Sequence, residues 1–138
     1  ELARVVKKAC AELSAGRDTV LTLAQRPAAA SGRRPPLRPT ASKAISEFLG
    51  QGTCLVLREV RPGGLCLCGG DIAVAACSAM GASGVTLQGE VEPGVPWGRL
   101  VGGQFADLPA VTKAGGFGRP ETFARAIRFL RPRRGRSV

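Results

Sequence analysis

Two glycine-rich segments, Gly69-Gly70-Asp71 and Lys113-Ala114-Gly115-Gly116-Phe117-Gly118, each fall between an apolar run and a stretch able to form a helix. Glycine lets bare backbone N–H groups approach an anion, and a helix starting at the same place adds about half a positive charge there. Such a pair of turns is suited to cradle the phosphates of a nucleotide. Asp71 serves either as the cap of the helix that follows or as a ligand of Mg²⁺, directly or through water, and the two roles are compatible. A side chain at Gly70 is expected to fill the anion site and to be disfavoured by a positive φ. In the second segment Lys113 precedes the glycines, which departs from the Walker pattern. Its ammonium can still put a point charge on a phosphate, while Gly115 and Gly116 let adenine, ribose or phosphate lie against backbone. The bland alternative for these glycines is a tight turn and nothing more.

Between the two turns, Glu92-Pro93-Gly94-Val95-Pro96-Trp97 is a rigid loop, shaped by Gly94 and Pro96, that can wall the pocket. Trp97 is either a packing residue or a base-stacking platform. Glu90 is either a solvated loop charge or a partner for ribose hydroxyls or metal-bound water. The five cysteines, Cys10, Cys54, Cys66, Cys68 and Cys77, contain no CxxC pair, and the chain has no histidine to complete a zinc set. Cys66 and Cys68 are two apart on an expected strand, so both face one way and pack as small apolar groups. No residue is identified as a catalytic base.

The elements that must hold these residues alternate along the chain. Leu2, Val5, Val6, Ala9, Cys10 and Leu13 recur at helical spacing, which predicts a helix from Glu1 to about Ala15, ended by Gly16. Thr19 to Ala24 is expected to be a buried strand, and Gln25 to Pro39, with four prolines, a loop. Thr40 or Ser42 is expected to cap a second helix with Ile45, Phe48, Leu49, Leu55 and Val56 facing inward and Gly50 and Gly52 weakening its middle. Leu65 to Cys68 is a short strand, and Asp71 opens a helix through Met80 that Gly81 closes. Val85 to Gln88 is a strand, Gly89 to Pro96 must turn, and Leu100-Val101 and Pro109 to Thr112 are further strands. Arg119-Pro120 starts a last helix over Glu121 to Leu130. This order predicts a single α/β domain over residues 1–130, with a mostly parallel or mixed sheet flanked by helices and a basic flexible tail at 131–138.

At 138 residues with 44% hydrophobic content, the chain can build a core without a staple. No apolar run approaches the ~20 residues of a membrane span, so a soluble, cytoplasmic protein with no membrane partner is expected. Glu1 is not an initiator Met, which suggests that the chain begins inside a larger protein. The net charge is +10, but Arg26, Arg33, Arg34 and Arg38 fall in the Pro-rich stretch and Arg131, Arg133, Arg134 and Arg136 in the tail. Setting those eight aside leaves 12 Lys and Arg against 10 Asp and Glu, a net +2, so charge speaks only weakly for nucleic acid as a partner. A basic nucleic-acid-binding module stands as the alternative function.

The segments Gly69-Gly70-Asp71-Ile72-Ala73, Gly89 to Pro96 and Lys113 to Gly118, in this order and spacing, resemble the nucleotide-binding C-terminal domain of the four-carbon acid sugar kinases. These are the threonate, erythronate and 3-oxo-tetronate kinases, and the resemblance runs from about Ala41 to Leu130. It implies ATP- and Mg²⁺-dependent phosphorylation of a four-carbon sugar acid, with the acid held by a separate N-terminal domain and a homodimer allowed. Matched position by position, Gly69, Gly70, Asp71 and Ile72 take the first nucleotide-binding turn and Gly115 or Gly116 the second. Ile72 stands where the family usually has Thr or Ser, which removes a hydroxyl from the site. The Ser-bearing glycine segment that family members carry ahead of this domain has no match here, nor does the stretch Gln25 to Pro39 have a counterpart. The chain alone is therefore expected to show little or no kinase turnover, and an inactive remnant of the kinase is the remaining alternative.

Overall fold

A computed structural model of the chain describes residues 1–23 and 36–132. The expected tail from 133, and the Pro-rich stretch up to residue 35 with Ala24 before it, lie outside the described residues. The elements are α1 (Leu2–Ser14), α2 (Pro39–Glu59), β1 (Leu65–Cys68), α3 (Gly70–Met80), β2 (Gly84–Glu92), β3 (Val95–Val101), β4 (Pro109–Lys113) and α4 (Thr122–Leu130). One four-stranded sheet has the order β1-β4-β3-β2. β1 and β4 are parallel, and the β4–β3 and β3–β2 pairs are antiparallel, so the sheet is mixed.

Alternation along the strands builds a core on each side. Leu67, Leu100 and Ala110 join Cys54, Leu57, Ala76, Met80 and Phe105 in a cluster shared with α2 and α3. Val111, next to Ala110 and so on the opposite face, packs with Val95 and with Ala126 of α4. Helices therefore cover both faces of the sheet, while α1 packs on α2.

Helix α2 shows how tertiary contact overrides local propensity. Pro39 supplies a preorganised first residue and Arg38 is the extended N-cap, so neither Thr40 nor Ser42 caps the helix as expected. Gly50 and Gly52 do not interrupt it. A Cβ at Gly50 would stand 2.7 Å from the backbone carbonyl of Ala75, so glycine is what lets α2 and α3 approach so closely. Val56 is buried as expected, but Leu55 is exposed.

Two further expectations need correction. Thr19 to Leu23 form no strand. A strand exists only through its ladder, and these residues face β1 across a cavity of about 500 Å³ that both line. The hydroxyls of Thr19 and Thr22 instead donate to the nearby carbonyls of Arg17 and Leu23. The expected turn over Gly89 to Pro96 shrinks to two residues. β2 runs on to Glu92, absorbing register shifts between Leu87 and Gly89 and between Glu90 and Glu92, and Pro93-Gly94 alone reverses the chain.

Candidate functional site

The parallel pairing of β1 with β4 sets Cys68 opposite Lys113, so both strands end at the same rim of the sheet and release their glycine turns side by side. The Gly69 N–H donates to the Lys113 carbonyl at 2.8 Å. A Cβ built on Gly115 would lie 3.9 Å from the Gly69 Cα. Gly69, Gly70, Asp71, Ile72, Lys113, Gly115 and Gly116 are thus brought to one place.

In the first turn the left-handed residue is Gly69, at φ 101, and not Gly70. Gly69 is the N-cap of α3, its carbonyl taking the first helical bond from the Ala73 N–H at 3.0 Å. Gly70 is already helical, and a Cβ there would meet nothing within 4 Å. Asp71 is consequently not the cap; it sits within the first turn, exposed, and no side chain caps the helix. As at the start of any α-helix, the amides of Gly70, Asp71 and Ile72 lack intrahelical acceptors, and here no side-chain cap supplies one. The Asp71 carboxylate borders the groove between α2 and α3 beside Ser42, Ser46 and Glu47. The Ile72 side chain lines the apolar cavity together with Cys68, and its Cδ1 would lie 3.8 Å from a Cβ added at Gly69.

Lys113 ties the turns together. Its Nζ donates to the carbonyls of Ala114 (3.0 Å) and Gly115 (3.4 Å) and lies 3.9 Å from the Cys68 Sγ. Among the described residues no carboxylate pairs with this ammonium. A Cβ at Gly116 would meet nothing within 4 Å, so open space stands before both bare backbones. Burial pushes the Cys66 thiol up to about 11 and also raises Cys77, so neither is poised to react. Among the described residues no group of three or more His, Cys, Asp or Glu side chains can hold a metal ion.

The hairpin tip reaches the second turn at two points. Gly94, at φ 82, lies under the Phe117 ring, whose Cζ would be 2.5 Å from any Cβ added there. Its N–H donates to the Glu90 Oε1 at 3.1 Å, so Glu90 acts as the hairpin's internal acceptor. At the hairpin's shoulder, the Glu92 carboxylate accepts from the Thr122 hydroxyl and, at 3.2 Å, from Arg125 Nη1. Thr122 is fully buried, and its Oγ1 also accepts from the Arg119 N–H at 3.0 Å. The Thr122 hydrogen bond first, and the Arg125 charge after it, hold the Glu92 carboxyl below its ordinary value. Trp97 packs, half-buried, edge-on against Phe129 with ring centroids 5.0 Å apart, and so is not a free platform. The Glu92–Thr122 link has no local signal, because its partners are 30 residues apart.

Residues 1–123 match the family described as nucleotide-binding C-terminal domain. The chain belongs to that family. This nucleotide-binding C-terminal domain is 39% identical over 136 residues to a D-threonate kinase of Salmonella typhimurium, an alignment covering 94% of this chain and 32% of that protein. It is 36% identical over 92 residues to a D-erythronate kinase of Heliobacterium modesticaldum, covering 62% of this chain and 21% of that one. A crystal structure of a domain of unknown function from Bordetella bronchiseptica, a domain-swapped dimer with bound citrate, superposes with a TM-score of 0.69 at 37% identity. That match covers 93% of this chain and 30% of the other. The chain thus spans about a third or less of the length of the curated relatives it matches. Among the described residues no helix is long and apolar enough to cross a membrane.

Proposed function

We propose that this domain binds the ATP of a kinase that phosphorylates a four-carbon sugar acid such as threonate or erythronate, the acid being held by residues outside this chain. The observation that carries the proposal is the junction of two bare glycine turns at one rim of the sheet, joined by the Gly69–Lys113 hydrogen bond. The kinase names of the relatives support the reaction class.

In this reading the amides of Gly70, Asp71 and Ile72 and the open backbone at Gly115 and Gly116 bind phosphate oxygens, and Lys113 neutralises their charge. Gly69 supplies the left-handed turn that aims the first set, and Gly94 fixes the wall beside the second. Mg²⁺ bound with the nucleotide would offset charge developing in transfer. Asp71 is the carboxylate at the helix start that would hold it, with phosphates and water as the other ligands, which is the usual company of this ion. Phosphoryl transfer then rests on positioning and charge neutralisation, and the hydroxyl of the acid is deprotonated by a group outside the residues named here.

Calorimetric titration of the chain with MgATP tests the site. Gly70 is helical and open, so Gly70→Val leaves the fold intact while its side chain occupies the phosphate space. Loss of one or two charge-assisted hydrogen bonds weakens binding about 10- to 150-fold. Unchanged affinity in a folded Gly70→Val variant would remove the first turn from the site.

A further inference from the structure

Of the five Phe and one Trp in the chain, Phe117 is the most exposed, at 47%. Exposure of an aromatic ring has no stabilising role in the core, yet this ring is not free. The backbone N–H of Phe117 closes a turn onto the Ala114 carbonyl at 3.1 Å. The far edge of the ring rests on Gly94, where any side chain would collide with it. Immediately downstream, Gly118 is at φ 96 against Thr122, where an added Cβ would stand 2.9 Å from Oγ1. The ring is thus fixed at its edge, backed by a tightly held turn, and left uncovered over much of its surface, one residue after the open Gly116 backbone.

We propose that Phe117 is the base platform of this site, stacking on the purine of the nucleotide whose phosphates lie on the two glycine turns. The inference rests on the nucleotide reading of the site given above. A ring held in place before the ligand arrives stacks without the entropic cost of ordering a loose side chain. Stacking reads the flat face of a base and not its edges, so Phe117 contributes affinity for the nucleoside half while the glycines and Lys113 contribute for the phosphates. Gly94 is then a positioning residue, acting through the ring and not on the ligand.

The test compares two probes, MgATP and magnesium tripolyphosphate, titrated into the wild-type chain and into Phe117→Leu and Phe117→Trp. Leucine keeps an apolar contact with Gly94 but has no flat face. The proposal predicts that Phe117→Leu binds MgATP about 5- to 30-fold more weakly, binds tripolyphosphate within about twofold of wild type, and that Phe117→Trp restores MgATP binding to within about threefold. Equal loss of both probes would show that the ring only shapes the phosphate turn, and no loss of either would show that it does not meet the ligand; both overturn the proposal. A wild-type chain that binds tripolyphosphate as tightly as ATP overturns it while leaving the phosphate cradle standing. A wild-type chain that binds neither probe overturns the nucleotide reading itself, and this proposal with it. Melting temperatures of the three proteins, measured beside the titrations, separate these outcomes from misfolding.

Discussion

Glu92 ends β2 with its side chain only 11% exposed, and it holds the start of α4 through Thr122 and Arg125. Because α4 begins just after the second glycine turn, this carboxylate positions backbone that it does not touch. Its folded-state pKa is lowered, so the folded protein binds fewer protons at this group than the unfolded chain does. The stabilisation is therefore present above the ordinary glutamate value of about 4.3 and is lost as pH falls through the lower folded value. Glu92→Gln removes the charge and keeps the shape. The melting temperature of the variant is expected to fall furthest below wild type near neutral pH, with the gap closing on acidification below about pH 4. A gap of constant size across that range would mean that the charge of Glu92 does not matter. The same residue marks a limit of sequence reading: Glu92 is visible as part of a motif, but its partner Thr122 is set by the sheet and helix packing.

Among the elements, the α2–α3 crossing makes the sharpest prediction, because two effects there have opposite signs. Helix propensity alone says that Gly50→Ala stabilises by about 1 kcal/mol. Packing says the reverse, since the new methyl would sit 2.7 Å from the Ala75 carbonyl group and force the helices apart, at a cost of about 1–3 kcal/mol. Packing should win, lowering the melting temperature by several degrees; an increase would show that the crossing is not tight. Helices α1, α3 and α4 and strands β1 and β4 were legible because apolar periodicity and glycine or proline punctuation coincide at their ends. Two of the failures depend on a partner distant in sequence and the third is local. Thr19 to Leu23 carry strand composition but meet a cavity where the β1 edge would be needed. Gly50 weakens its helix by propensity alone until α3 is in place. Asp71 looks like a cap until Gly69, left-handed and one residue before the helix, takes the role.

At the scale of the whole molecule, the site is a property of topology. Two segments more than forty residues apart become one rim only because β4 inserts beside β1 in parallel, and the hairpin between them folds back to brace the second turn. The residues at that rim were legible in the sequence as a pair of glycine turns suited to one nucleotide; the strand order that joins them, with β4 beside β1, is written in neither segment. Helices cover both faces of the sheet. The measurement that bears most directly on the shared cradle is a ¹H–¹⁵N spectrum of the chain titrated with MgATP. The account predicts that the amides of Gly70, Asp71 and Ile72 and those of Gly115 and Gly116 shift together along a single binding curve. Shifts confined to one turn, or two turns saturating at different ATP concentrations, would contradict it.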